Sequence, residues 1–340
     1  MSTLHVTNGD CAGDTLRRFA DGPVVITCDV LHQGPAPAVD GDAWYSTRAR
    51  FLADDEPVAA ARIAAGLAAS DRAMGDALAR GDEIVLWFEH DLFDQLLLIR
   101  VLDLIGRRAL APDAGRVSLI CVDRFPGVDR FIGLGQLDAA QLQSLYPSRQ
   151  PVTADQLDVA SAAWSAFRSP DPRKLLEITV RPKPDTTAAG ARDGGGAPLP
   201  FLRDALLRFL AEYPSASNGL TRTEQLALAA MMDGPTTAGA LFMKTQGEEL
   251  RPFMGDSTFF DTIRALASAR TPLVEIDAPV DRIDIRDDRV AITAAGQDVL
   301  GGRRDRVALN GISMWRGGVH LEGRDASPFR WDAGRETLVS

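Results

Sequence analysis

Cysteine is scarce in this chain. Three occur in 340 residues, at Cys11, Cys28 and Cys121. The odd number and wide spacing exclude a disulfide framework and a zinc ribbon, and predict a reducing compartment. Histidine numbers four, with no HxH, HExxH or HxxxH spacing, so no ready-made metal motif exists. No apolar run approaches the roughly 18 residues of a membrane helix. No basic stretch followed by an apolar one opens the chain, so a cytoplasmic protein without a membrane partner is expected. A P-loop, a GxGxxG fingerprint and internal repeats are also missing. Positive charge is in deficit, with a net charge of −10 and a pI near 5.0. Nucleic acid is therefore an unfavourable partner overall. From Thr221 to Arg306 there are 11 Lys and Arg against 14 Asp and Glu, a net of −3, without the basic footprint of a DNA-binding module.

What is present is a series of short apolar runs. Leu4–Thr7, Val24–Asp29, Ile84–Glu89 and Val117–Asp123 barely alternate. Such runs suit strands covered on both faces, as in parallel sheets. Helical patterns lie between them at Cys11–Phe19, at Ala-rich Thr47–Arg80 (one helix or two) and at Leu92–Arg108. Strand alternating with helix predicts an α/β fold, a Rossmann-like open parallel sheet over residues 1–135. A helical connector follows over 136–179, with Thr153 as a helix cap. Residues 180–200 are Pro-, Gly- and Thr-rich and cannot bury enough to offset their ordering entropy, so a flexible insert is expected there. Residues 201–340 predict a second, mainly helical, winged-helix-like domain with a C-terminal hairpin. In it Thr221 and Glu224 form a capping box, and Ser257–Arg270 is a helix whose sparse charges favour packing over DNA contact.

In open α/β sheets ligands bind beyond the carboxyl ends of the strands. The first strand exits into Asn8, Gly9, Asp10 and Cys11, a Gly-containing turn entering a helix. Backbone N–H groups there favour an anion such as phosphate; the alternative is that Asp10 only caps the helix. Cys11 is either a thiol activated by the helix start or a small core residue. The second exit carries Asp29 and His32 within "DVLHQGP", the third Glu89, His90 and Asp91, the fourth Asp123 and Arg124. His32 or His90 can exchange protons, while Glu89 and Asp29 can orient an imidazole or bind a cation. Asp91 is placed to cap the next helix, with Asp94 and Gln95 one turn on. Glu89 closes a strand expected to be buried, where a carboxylate needs a partner. Cys28 and Cys121 fall inside strands and are expected in the core.

The stretches "LHVTNGD", "DVLHQGP", "RARFLA" and "EIVLWFEHDLFDQL" resemble the signature of an uncharacterised bacterial domain family. The tail "LNGISMWRGGVHLEG…FRWD" is similar to the second domain of unknown function that its members carry. The insert around "RPKPDTT" departs from that pattern, as does Cys11, which stands where the family carries serine. The resemblance implies the two-domain architecture and the choice of motifs, and no reaction.

Together the residues lead to an expectation of a small-molecule enzyme, a hydrolase or transferase acting on a phosphate-containing or nucleotide-like substrate. His32, Glu89, His90 and Asp29 are the candidate catalytic groups. Asn8, Gly9, Asp10, Cys11, Asp91 and Asp94 are the candidate ligand contacts. A divalent metal is an open option, and oligomeric state is not legible. The alternative is a non-enzymatic, ligand-sensing regulator with a winged-helix module.

Overall fold

The computed structural model describes residues 2–108, 116–180, 197–279, 284–323 and 329–339. The chain divides into two compact units. Unit 1 is Met1–Leu206 with Gly317–Val319, and unit 2 is Leu207–Arg316 with His320–Ser340.

Unit 1 runs β1 (Thr3–Thr7), α1 (Asp10–Leu16), β2 (Val24–Ile26), β3 (Gly34–Pro35), α2 (Asp42–Leu52), α3 (Pro57–Arg80), β4 (Glu83–Glu89), α4 (Leu92–Arg108), β5 (Val117–Val122), α5 (Ala139–Ser144), β6 (Gln150–Pro151), α6 (Ala154–Phe167) and α7 (Arg173–Val180). Five strands form one sheet in the order β2-β1-β4-β5-β6. The first four are mutually parallel, and β6 runs antiparallel to β5. The sheet is therefore mixed, although mostly parallel. The antiparallel edge comes from Gln150–Pro151, inside the stretch read as a helical connector; proline sits there because an edge strand can spare its N–H.

Central strand β4 is buried at Ile84 through Phe88, which its unbroken apolar run requires. Its pleat sends Val85 and Trp87 to one face, where they meet Ala12 and Leu16 of α1, Leu142 of α5, and Ile120. Ile84, Leu86 and Phe88 alternate to the other face. Helix α4 packs against α3, α6 and β4, and it is buried nearly all round, from Leu96 through Leu102 without a break.

The local chemistry of the ends explains the boundaries. Helix α3 begins at Glu56, whose carboxylate accepts from Val58 N and Ala59 N, and stops at Gly81 in the left-handed region (φ 69). Thr153 and Gln156 make the capping box of α6. The Ala-rich stretch is two helices, broken where Asp54 and Asp55 take positive φ (48 and 58). Strand β2 is shorter than the run Val24–Asp29 suggests. It is a half-buried edge strand, so Cys28 is exposed rather than core, and Asp29 lies in a loop beyond the strand.

The division between units falls within α8 (Leu202–Leu210). Unit 2 continues with α9 (Arg222–Ala230), β7 (Thr236–Thr237), α10 (Ala238–Glu248), α11 (Asp256–Ala267), β8 (Val274–Ile276), β9 (Arg289–Ile292), α12 (Ala294–Leu300), α13 (Arg306–Asn310), β10 (Ile312–Gly317), β11 (Val319–Gly323), β12 (Arg330–Asp332) and β13 (Thr337–Val339). Strands β7, β9 and β8 form an antiparallel sheet in that order. Phe259, Phe260, Ile263 and Leu266 form the buried stripe of α11. The Thr221–Glu224 capping box is formed, with reciprocal bonds of 2.8 and 3.1 Å. Of the insert expected over 180–200, residues 181–196 lie outside the described residues. No described helix is long and apolar enough to cross a membrane.

Candidate functional site

Strands β2 and β4 flank β1 on opposite sides. Helix α1 packs with β2 and α5, whereas α4 packs with α3 and α6. The chain thus leaves β1 toward one face of the sheet and β4 toward the other. The exits part there, which is where open α/β sheets form their ligand crevice, beyond the carboxyl ends of the strands. Asn8 stands at the β1 exit and Glu89 at the β4 exit. The two lips are tied: Asn8 Nδ2 donates to Asp94 Oδ2 at 2.7 Å.

Three carboxylates meet here. Oxygens of Glu89, Asp91 and Asp94 lie within 4.8 Å of one another. Asp91 Oδ1 accepts from Asp94 N at 2.9 Å, which caps α4. Asp94, 1% exposed, accepts from Glu89 N at 3.2 Å through its other oxygen. Gln95 Nε2 donates to Glu89 O at 2.6 Å and so fixes the end of β4. Glu89 itself is half-buried, and Leu134 N donates to its Oε2. A side chain at Gly133 would overlap the Glu89 carboxylate, so glycine there is what allows the loop after β5 to close over it.

The electrostatics follow from this geometry. Glu89 is raised well above an ordinary carboxylate by burial and then by the charges of Asp94 and Asp91. Asp94 is raised to about 6 by burial, against the opposing bonds from Asn8 and Glu89 N. Among the described residues no arginine or lysine forms an ion pair with either, and Asn8 Oδ1 is a buried acceptor without a donor. Two carboxyls so close cannot both ionise cheaply. They either share a proton or face a cation, and the all-oxygen donor set suits a hard divalent ion.

The other expected site residues have surroundings of their own. Asp29 faces Arg48 of α2, which is fully buried and donates to Asp29 Oδ1 at 2.6 Å. Arg48 also donates to the carbonyls of Gln33, Pro35 and Val30 at 2.8, 3.0 and 2.9 Å. With its donors spent on that loop, this pair holds the "DVLHQGP" turn in shape; that observation weakens the catalytic reading of Asp29. His32 is buried against Phe93 in the first turn of α4 (ring centroids 5.7 Å). His90 is buried between Phe131 and Phe201 (6.0 and 6.1 Å). Both histidines therefore sit at the carboxyl edge, each against aromatic rings.

In the first exit, Gly9 takes φ 75 and is itself the N-cap residue, with no side-chain cap bond. The capping role considered for Asp10 is thus absent, and Asp10 and Cys11 are exposed. Cys11 is consequently not a core residue. Cys121 is half-buried at the end of β5, and its Sγ lies 3.6 Å from Glu89 O. Burial raises its thiol far above the ordinary range, which leaves it inert. Asp123 pairs with Arg124 at 3.0 Å on the surface.

Sequence reasoning missed Gly133, the Leu134 N–H and Arg48. Arg48 lies within "RARFLA", so its motif was visible but its burial was not.

No family model matches the chain, and no curated protein matches it. Among solved structures it is similar to the DNA-binding, cleavage and re-ligation domain of Plasmodium falciparum topoisomerase II, at 11% identity and TM-score 0.47. That likeness covers 95% of this chain and 51% of the other, so the chain spans about half its length. A likeness of that degree establishes neither a shared fold nor a shared activity.

Proposed function

We propose that unit 1 is a small-molecule enzyme, a hydrolase or transferase acting on a phosphate-containing or nucleotide-like substrate in the crevice between β1 and β4. The observation that carries this reading is the meeting of Glu89, Asp91 and Asp94 within 4.8 Å at the crevice, with no arginine or lysine paired to Glu89 or Asp94 among the described residues. Surface acids spread apart; these are drawn together at a cost in desolvation and repulsion. Glu89, Asp91 and Asp94 would hold a divalent cation, with Asn8 Oδ1 as a further oxygen donor. A cation there neutralises phosphate charge and orients the phosphate. The Gly9–Cys11 turn offers backbone N–H groups to the same phosphate. In the chain itself, Asn8 holds the Asp94 carboxylate and Gln95 fixes the strand end.

The test is calorimetric titration with Mn2+ and with Mg2+, followed by nucleotides and phosphate monoesters, on the full chain and on Glu89→Gln and Asp94→Asn. Binding in the parent with loss in both variants supports the reading. Equal binding in all three, or none in the parent, sinks it.

A second reading is favoured by one observation in unit 2. Helix α9, strand β7, helices α10 and α11, then β8 and β9, with the sheet ordered β7-β9-β8, follow the element order of a winged helix. On this reading the chain is a ligand-sensing regulator. Helix α11 carries Asp256, Asp261 and Arg264 as its charged residues, which suits packing against protein better than phosphate contact. Fluorescence anisotropy with duplex DNA at low salt separates the readings: salt-dependent binding favours the regulator.

A further inference from the structure

A cavity of about 170 Å3 opens among α2, α3, α4 and α6, away from the crevice. Its apolar lining is Trp44, Trp164 and Leu104. The two indoles meet edge to face at 5.3 Å and so make a rigid wall. Its polar lining is Arg100, Arg107, Arg108, Tyr45, Asp40 and Asp71.

A donor–acceptor inventory decides what the cavity can receive. Asp71 accepts from Arg100 at both oxygens (3.0 and 2.7 Å) and from the Tyr45 hydroxyl at 2.9 Å. Asp40 accepts from Arg107 at 2.7 Å through one oxygen and from Arg168 at 3.0 Å through the other. Both acids are spent. The donors are not. Arg108 gives one N–H to the Asp71 carbonyl at 2.7 Å and pairs with no carboxylate among the described residues. Trp44 Nε1 is a buried donor without an acceptor there. Arg100 is neutralised by Asp71 and Arg107 by Asp40 and Asp103, so the donors left over are Arg108 and Trp44 Nε1, and a ligand that uses them brings acceptors and negative charge. Arg107 and Arg108 also close α4, where cations complement the helix dipole. That explains their position in the last turn but not the cavity or its aromatic wall.

Size sets the rest. A void of roughly 150 Å3 holds one benzene-sized molecule, so one ring fits against the apolar lining. We infer that this cavity is a binding site for a small organic monocarboxylate with a single flat apolar body, its carboxylate on Arg108 and its body against Trp44, Trp164 and Leu104. This site stands apart from the crevice, although α4 reaches both, with Asp94 in its first turn and Arg108 at its end.

Benzoate is the probe, titrated into the full chain by calorimetry and by indole fluorescence. Saturable binding in the millimolar range or tighter is expected, with benzyl alcohol, the uncharged analogue, weaker by at least about tenfold. Arg108→Gln should weaken benzoate by about tenfold or more, and Arg108→Lys should restore part of the loss. Leu104→Trp, which fills the cavity and removes no charge, should abolish binding; it keeps the test open should the arginine variants unfold. Glu89→Gln should bind benzoate as the parent does, so failure of the crevice reading and failure of this one are told apart. Absence of saturable benzoate binding overturns the inference. So does equal affinity in Arg108→Gln, or inorganic phosphate binding as tightly as benzoate.

Discussion

Glu89 and Glu212 are the same residue type in two units of one chain, and their surroundings drive them in opposite directions. Glu212 of unit 2, 4% exposed, accepts from Arg208 Nη1 at 2.7 Å, Thr223 N at 3.0 Å and Thr223 Oγ1 at 2.7 Å, with Arg316 at 3.7 Å. Burial alone would raise it, but the charges of Arg208 and Arg316 and these bonds outweigh burial and hold it down at about 2. Glu89 has one backbone N–H and two acids for neighbours, and is raised. A buried acid that serves the fold is surrounded by donors. One that is left among other acids lowers stability where it stands, which is the physical sense in which the crevice of unit 1 resembles a site and the Glu212 network a brace.

The largest expected effect breaks the brace. Glu212→Ala leaves Arg316 buried without its carboxylate and Arg208 with Glu249 alone, and should cost about 3–5 kcal/mol in denaturant titrations. A cost under about 1 kcal/mol would show that the arginines find water instead.

The next sharpens the contrast through pH. Asp94 has its folded pKa raised, so its contribution favours the folded state at low pH and is lost as pH rises from 3.8 to about 6. Glu212 has its folded pKa lowered, so its contribution is present above 4.5 and is lost as pH falls toward about 2. Asp94→Asn removes the first term. Its amide meets Asn8, which can turn its own unpartnered oxygen to accept. The variant should exceed the parent in stability by up to about 3 kcal/mol near neutral pH, and match it near pH 4. Chemical denaturation at both pH values checks this; a constant difference would contradict it.

Gly133→Ala should press a methyl group into the Glu89 carboxylate and cost about 1–3 kcal/mol, with loss of cation binding at the crevice. The smallest stability change is expected for Glu89→Gln, within about 1 kcal/mol of the parent in either direction. Cation or phosphate-ligand affinity should nevertheless fall at least about tenfold, roughly 1.4 kcal/mol. Unchanged affinity would leave Asp91 as a helix cap and nothing more.

Much of unit 1 is legible in residue order because its signals are local. The run Ile84–Phe88 is buried at every position, and α4 spans Leu92–Arg108 as its periodicity predicts. The caps at Thr153 and Thr221 use bonds to residues three positions away, which sequence displays directly. Strand β2 misleads because an apolar run reads alike whether it lies at the centre of a sheet or, as here, at its edge, so Cys28 has the pattern of a core residue and is exposed.

By itself, then, the sequence determined the alternation of strand and helix, the caps, and the appearance of Asn8, Glu89, Asp91 and Asp94 at strand exits, since each depends on neighbours within a turn or a strand. Only tertiary structure decided which exits meet. Asn8 and Asp94 are 86 positions apart and bond because β1 pairs with β4. Glu89 is closed over by Leu134 from 45 positions away. Asp29 drew Arg48 from the next helix, and the pair holds the loop in shape. Strand pairing and the donors it brings near are long-range outcomes, and a carboxylate becomes brace or site according to which donors arrive.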